Sequence, residues 1–431
     1  MRDSTVRRFK SIIAEFWNEK IFKIAITIQV IYLIIAIFLT LTFFREFNDF
    51  LVYYKVGKVF ISDIKTLYDP SNYMWPFRYF PLSAIFFIPF SVLNFELAFL
   101  FFSMVNFCIN LLICVILYKI FCITSPDNGV EGKKKIIFYI SLYLIALPHV
   151  YNYILGQINL LVSILLLLSL YLFLNHEKLR WDIVGGVIIG ISINIKPITI
   201  LIIPFLLSFS LSKKDNLNLY AIKKSFTRIG GTLFPILLNG LVFLLIPELF
   251  IGFLEINFTG TETLIVNNSF SITKLIINAL TMSGLERALL QELQFVIFLL
   301  ILSVFLSFGF FVFLFRKLKS NSILYGFMLG ILTILLAYFD SWDHHLLIFI
   351  PLLTISIFSL ETENSNSKDE AFLLNTEKKA FYFFIFLDLP LFGLIFLLRD
   401  FFPYNFIPTI FLLLLYGSMA RYLLREEQRT F

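Results

Sequence analysis

Eleven stretches of this chain are apolar over helix length, and their succession constrains the fold more than any motif does. A window of roughly 19 residues places them near 21–43, 94–121, 136–150, 158–175, 183–210, 226–247, 293–315, 322–339, 345–360, 380–398 and 406–424. In lipid only a helix or a closed barrel satisfies its own backbone, and a spanning helix takes about 20 apolar residues. Of 431 residues, 59% are hydrophobic and 15% charged, a balance that would aggregate as a water-soluble domain. The chain therefore reads as an all-α polytopic membrane protein, one integral membrane domain over 1–431 with no soluble domain and no internal repeat. The first run exceeds the core of a signal peptide and lacks a small-residue cleavage site after it, so it reads as a retained span.

Basic clusters orient the spans. Arg7, Arg8, Lys10, Lys20 and Lys23, then Lys119 with Lys133, Lys134 and Lys135, then Lys178 with Arg180, are expected on the cytoplasmic side. So are Lys213, Lys214, Lys223 and Lys224, and the group Arg316, Lys317 and Lys319. A single crossing over 183–210 would send the lysines at 213–224 outward, against the rule. The conflict vanishes if the run breaks near Asn194-Ile195-Lys196-Pro197 and returns, because proline removes a backbone donor and clashes with the preceding turn. The expectation is about twelve helical segments, both termini cytoplasmic, in the plasma membrane. The formal net charge of +6 then reports orientation and points to no nucleic acid. Segments 122–135 and 361–379 read as mobile cytoplasmic connectors, and Cys108, Cys114 and Cys122, spread along one helix, are not placed to pair.

With that orientation the unusual polar residues gather on the outer side, in the long first loop 44–93, the Gly156-Gln157-Ile158-Asn159 turn, the Lys196-Pro197 break, loop 248–292 and the turn from Asp340 to His345. Asp49 follows the first span, among Asn48, Phe50, Val52, Tyr53 and Tyr54; it is either a solvated interfacial carboxylate or a base whose pKa burial has raised. Arg78, in Trp75-Pro76-Phe77-Arg78-Tyr79-Phe80-Pro81, either holds a phosphate or snorkels into headgroups. Lys196 sits inside an apolar run, where a charge is costly and usually faces a cavity or an anion. Gln157 and Asn159 either hydrogen-bond a sugar or cap the helix starting near Ile158. His344 and His345, with Asp340 and Asp343 beside them, suit contacts to phosphate or sugar better than a metal site, which needs three or more converging ligands. Asn257-Phe258-Thr259 and Asn267-Asn268-Ser269 are formal glycosylation sequons of a kind common by chance.

The succession of Asp49 with Val52-Tyr53-Tyr54, Leu67-Tyr68-Asp69, and Phe77-Arg78-Tyr79-Phe80-Pro81 with Pro89 resembles the first extracytoplasmic loop of family 87 glycosyltransferases of the GT-C superfamily. Gly156-Gln157-Ile158-Asn159, Gly186 and Gly190 ahead of Lys196-Pro197, Asn268-Ser269, and Ser341 with His344-His345 before Pro351 are similar to the later motifs of that family, in the same order. The resemblance covers about 44–355; helices within 380–424 carry no matching motif. It implies a GT-C fold and a polyprenyl-phosphate-mannose donor, with a glycolipid or glycan acceptor. It also implies Asp49 as catalytic base and Tyr53, Tyr54, Arg78, Gln157, Asn159, Lys196, Asn268, His344 and His345 as substrate contacts. It implies no metal and no cofactor, since the lipid-phosphate sugar is itself a substrate. A second acidic residue beside the base, common in other GT-C enzymes, has no clear counterpart beyond Glu46.

Two other classes compete. A transporter or flippase would place polar groups near the midplane and show repeat symmetry between its halves. A ligase joining a lipid-linked glycan has the same composition as a glycosyltransferase.

Overall fold

The computed structural model describes residues 11–124, 129–212, 218–258, 269–317, 321–362, 367–386 and 406–425. Their regular elements are all helical. In chain order these are α1 (Lys20–Thr42), α2 (Asp49–Ser62), α3 (Phe95–Thr124), α4 (Val130–Leu144), α5 (Pro148–Ile154), α6 (Asn159–Asn175), α7 (Leu179–Ile195) and α8 (Leu219–Leu245). There follow α9 (Pro247–Phe258), α10 (Ile272–Met282), α11 (Arg287–Leu314), α12 (Ser322–Ala337), α13 (Leu346–Thr362), α14 (Lys368–Phe386) and α15 (Ile407–Leu424). Each apolar run of the sequence is mostly helical where described, with interruptions at 145–147 in the third run and at Lys196 and 207–210 in the fifth; the run 380–398 is helical to Phe386 and otherwise lies outside the described residues.

Six of the described helices are long and apolar enough to cross a membrane, and α4 with α5 adds a seventh as one span bent by 46°. The remaining segments of the expected twelve are shorter, among them α6, α12 and the 3-10 stretch Pro197–Leu206. Burial sorts the long helices. The window beginning at Asp343, which contains α13, is 89% buried, whereas that of α11 is 11% buried. Helix α13 is thus a central helix, packed against α3, α4, α5, α6, α12 and α14, and α11 presents its side chains to the surroundings. Helix α1 lies between: Phe22, Ala25, Leu33 and Ala36 are buried at helical spacing, while Ile24, Ile31, Ile34 and Phe38 are exposed. On a membrane protein that outer face meets lipid tails, so apolarity all round is expected.

The break at Lys196-Pro197 is present. Helix α7 ends at Ile195, Lys196 is its extended C-cap, and the chain continues as the 3-10 stretch Pro197–Leu206. That stretch turns back. Tyr220 Oη donates to the Glu177 carbonyl and Arg228 pairs with Asp182 at 2.7 Å, so the start of α7 lies beside the start of α8. Past the hairpin, Ser208 N–H donates to Ser225 Oγ at 2.8 Å and Leu211 N–H to the Leu314 carbonyl at 2.8 Å. Residues 177–182 and 207–212 are therefore at the same end of the bundle. Helices α7 and α8 touch backbone to backbone: a Cβ on Gly186 would meet the Arg228 carbonyl, and one on Gly190 the Thr232 carbonyl. Glycine is required at both because a neighbouring main chain occupies the space a side chain needs.

Three sequence expectations change here. The first loop is largely structured, with α2, then the short helical stretch Pro81–Ser91, packed on the core; its aromatic residues, among them Phe50, Tyr53, Tyr68, Phe77 and Phe87, are buried. Segment 361–379 is mostly the start of α14, and Glu361 sits between Lys135 and Lys378. Segment 122–135 likewise carries the end of α3 and the start of α4, with 125–128 outside the described residues. Polar composition there conceals helix: Lys368 is exposed, but Glu370 and Glu377 are buried in α14.

Candidate active site

The site begins at the entry to α2. Asn48 caps the helix: its Oδ1 accepts from Leu51 N–H at 2.9 Å, and its Nδ2 donates to the Phe44 and Arg45 carbonyls. Asp49 is the first helical residue, where the positive end of the helix dipole favours a carboxylate. Its own N–H and that of Phe50 donate to the Leu155 carbonyl at 2.9 and 3.2 Å, which pins α2 to the turn between α5 and α6. That turn requires Gly156. Its φ is +62°, and a Cβ there would run into Phe50.

The turn delivers Gln157 to the carboxylate. Gln157 N–H bonds to the Asn152 carbonyl at 2.8 Å, and Asn152 Nδ2 donates back to the Gln157 carbonyl at 3.3 Å, leaving the side chain to project. Its Nε2 donates to Asp49 Oδ2, while its Oε1 lies 3.4 Å from both Lys196 Nζ and Tyr53 Oη, which donate to it. Lys196 Nζ also donates to Asn159 Oδ1 at 2.6 Å, and Asn159 Nδ2 to Asn152 Oδ1 at 3.2 Å. Gln157 and Asn159 are therefore not caps: α6 begins after Ile158 with no side-chain cap. The break in the α7 hairpin has a purpose in this arrangement, since it puts the ammonium at a helix end facing two amides.

The remaining groups come from the first loop and from the turn before α13. Tyr53 Oη and Tyr79 Oη are 3.0 Å apart. Arg78 Nη1 lies 3.6 Å from Asp340 Oδ2 and 3.5 Å from Tyr338 Oη. His345 is buried, accepts the Trp342 N–H on Nδ1 at 3.1 Å, and is close enough to Lys196 to feel its charge. His344 is buried against His345 and Trp342, with ring centroids 4.5 and 6.0 Å away.

Electrostatics set the character of the carboxylate. Burial pushes the Asp49 pKa up to about 6; Lys196 and the Gln157 bond restrain the rise, the Asp340 charge adds to it and Arg78 opposes it. A carboxylate so placed is a stronger base than an ordinary aspartate and is still mostly ionised at neutral pH.

Eight of the ten site residues expected from sequence fall in this cluster: Asp49, Tyr53, Arg78, Gln157, Asn159, Lys196, His344 and His345. Tyr54 does not. One residue along a helix rotates a side chain by about 100°, and Tyr54 points away from Asp49, donating to the Leu93 carbonyl at 2.8 Å under the Lys58 ammonium. Asn268 lies outside the described residues. Glu46 is exposed, and the second carboxylate whose charge reaches Asp49 is Asp340. Two further residues went unselected in the sequence. Asn152 is a buried amide in α5 that orients both Gln157 and Asn159. Lys274 is fully buried in α10, within reach of the Asp340 charge. A lysine in an apolar helix was the signal that singled out Lys196; at 274 it was hidden because 248–292 read as a loop.

A carboxylate, amides and a buried lysine meeting between helix ends of a polytopic bundle define an integral membrane enzyme. The sequence profile of glycosyltransferase family 87 matches residues 77–338, more than half of the chain, and the chain belongs to that family. The matched stretch contains Arg78, Gln157, Asn159 and Lys196, while Asp49, Tyr53, His344 and His345 lie beyond its ends. No curated protein matches the chain. Its activity is accordingly that of a glycosyltransferase with several apolar, span-length helices.

Proposed function

We propose that this glycosyltransferase moves a sugar, mannose in this reading, from a polyprenyl-phosphate donor to a glycolipid or glycan acceptor. In this reading the active site faces the extracytoplasmic side of the plasma membrane, with both termini cytoplasmic. One observation carries the proposal: a single amide, Gln157, bonds the carboxylate of Asp49 on one side and lies beside the buried ammonium of Lys196 on the other. A base and an anion-binding cation at that separation are what attack on an anomeric carbon with a phosphate leaving group needs.

Asp49 takes the proton of the acceptor hydroxyl as its oxygen forms a bond to the anomeric carbon. The bond from that carbon to the phosphate oxygen breaks on the opposite face, and configuration inverts. The phosphate is already a weak base, so it leaves without a strong general acid. Lys196 stabilises the charge that gathers on it, with Arg78 and a histidine of the 344–345 pair assisting. Exposed apolar side chains such as Ile85 and Phe86 of the first loop, Ile200 of the returning stretch and Leu237 and Leu241 of α8 suit a bilayer-borne tail. Neutralising Lys196 would leave little reason for a broken hairpin at that depth.

The test is direct. Membranes containing the protein are incubated with radiolabelled polyprenyl-phosphate mannose, glucose and galactose, and separately with the nucleotide-linked sugars. Label should move from the mannosyl lipid. Transfer from another hexosyl lipid would replace mannose, and transfer from a nucleotide sugar alone would overturn the donor assignment.

A further inference from the structure

Asp340 is unexplained by phosphate binding, because a carboxylate among Arg78, Lys196 and Lys274 weakens the positive field that a phosphate needs. Its position is nonetheless built. The turn from α12 to α13 is held by Phe270 N–H on the Ser341 carbonyl at 3.0 Å, by Ser341 N–H on Ser269 Oγ at 3.1 Å, and by Thr273 Oγ1 on the Ala337 carbonyl. Trp342 Nε1 donates to Asp340 Oδ1 at 2.6 Å, and Arg78 Nη1 approaches Oδ2 at 3.6 Å. These contacts fix the plane of the carboxylate, yet 34% of its side chain stays open. It joins the site through Arg78, whose neighbour Tyr79 meets Tyr53 at 3.0 Å, with Tyr53 in turn 3.4 Å from Gln157, and the Asp340 charge reaches Asp49 and Lys196 alike.

An ionised carboxylate offers about four lone-pair directions, and the two contacts above leave acceptor capacity unused. Oriented acceptors of that kind bind paired hydroxyls strongly, since hydrogen bonds to a charged partner exceed neutral ones. The half-buried Trp342 ring beside it supplies an apolar surface for the carbon face of a pyranose. A carboxylate and an indole on one rim therefore match a sugar ring better than any other part of the substrate.

We propose that Asp340, oriented by Trp342 and Arg78, accepts hydrogen bonds from a pair of sugar hydroxyls, so that the sugar and the phosphate are held by different residues. The proposal rests on the lipid-phosphate-sugar reading of the donor. Either the donor hexose or the acceptor glycan presents such hydroxyls, and the experiment separates them.

Wild type, Asp340→Asn, Asp340→Ser and Lys196→Met proteins in detergent are titrated with polyprenyl-phosphate mannose and with bare polyprenyl phosphate. Transfer is then measured against a graded glycolipid extract of the host membranes. Wild type should prefer the sugar-bearing lipid, and the Asp340 variants should lose roughly tenfold of that preference, the scale of a charge-assisted hydrogen bond. Bare polyprenyl phosphate should bind them as well as wild type or better, which also shows that they are folded. A preference that persists, with a roughly tenfold rise confined to the acceptor requirement, assigns the hydroxyls to the acceptor and upholds the role. A fall in bare-lipid binding equal to the fall for the sugar lipid, or no change in either arm, overturns it. If wild type ignores polyprenyl phosphate, the donor reading itself fails and takes this proposal with it; if wild type binds it and Lys196→Met leaves that binding unaltered, Lys196 is structural and the division of sugar and phosphate between different residues is overturned.

Discussion

Lys196 and Asp49 share one amide: Gln157 donates to the Asp49 carboxylate and accepts from Lys196 at 3.4 Å. The two charges come from the end of α7 and the start of α2, and each helps the other to stay ionised without direct contact. A direct ion pair would occupy both groups. The intervening amide keeps the carboxylate and the ammonium apart while fixing their relative position.

Replacing Asp49 by Asn should abolish transfer, with a loss of at least about 100-fold, the lower bound for a missing general base. The volume is nearly unchanged, so size-exclusion behaviour should match wild type. Transfer above about a tenth of the wild-type rate would remove Asp49 from this role.

Transfer should rise with pH through about 6, because the raised Asp49 pKa leaves the base protonated below that value. The groups acting on it are Gln157, Lys196, Asp340 and Arg78, with Tyr53 and Tyr79 alongside. Asp340 raises the pKa, so Asp340→Asn should move the midpoint to lower pH. The profile of kcat/KM between pH 4.5 and 8, roughly the range in which such a base titrates, decides the point; a midpoint near an ordinary aspartate value would contradict the burial argument.

Lys196→Met should remain folded yet raise the donor requirement by on the order of tenfold or more, since a charge-assisted contact to phosphate is lost. Asn159 Oδ1 loses its 2.6 Å partner, so some loss of thermal stability accompanies it. Lys196→Arg should rescue only in part, because its planar fork is larger than the ammonium. Rate against donor concentration for the three proteins is the measurement; identical donor dependence in the Met form would make Lys196 structural.

Neighbouring tyrosines should behave oppositely. Tyr53→Phe removes a hydroxyl that meets Tyr79 at 3.0 Å and Gln157 at 3.4 Å, and should lower transfer severalfold. Tyr54→Phe removes only the bond to the Leu93 carbonyl, costing about 1 kcal/mol of stability with transfer intact. Equal losses in both variants would mean that Tyr53 is also structural.

Sidedness can be read with an impermeant thiol reagent in intact cells, after replacing Cys108, Cys114 and Cys122. A cysteine at Ser71, exposed in the first loop, should react, and one at Lys368, exposed at the start of α14, should not. The reverse pattern would put the site on the cytoplasmic face.

Hydropathy made the helices legible because lipid imposes one solution on an apolar run, and charge bias together with Pro197 made the returning hairpin legible. Lys196 stood out because a charge in that setting has few explanations. The first loop was harder. It owes its structure to buried aromatic contacts such as Tyr53 on Phe87, with centroids 4.6 Å apart, and the composition of such a loop does not reveal which rings will meet. Asp340 escaped selection as the partner of Asp49 because sequence distance hides a neighbour delivered by a different turn. Tyr54 was grouped with Tyr53 by adjacency, where helical rotation separates them.

The hairpin at Lys196 also bears on how the chain is made. Residues that receive the ammonium, Gln157 and Asn159, are synthesised before it, as is Asp49. A charge near the centre of a spanning helix costs about 2.5–3.5 kcal/mol to insert, but this one arrives after its partners are already in place. Segment 183–210 can therefore enter as a pair of short arms whose tip docks on finished structure, and its insertion depends on the integrity of α6. Defects at Asn159 should then be visible during biogenesis, as a hairpin that stalls or straightens, before any loss of catalysis is measured.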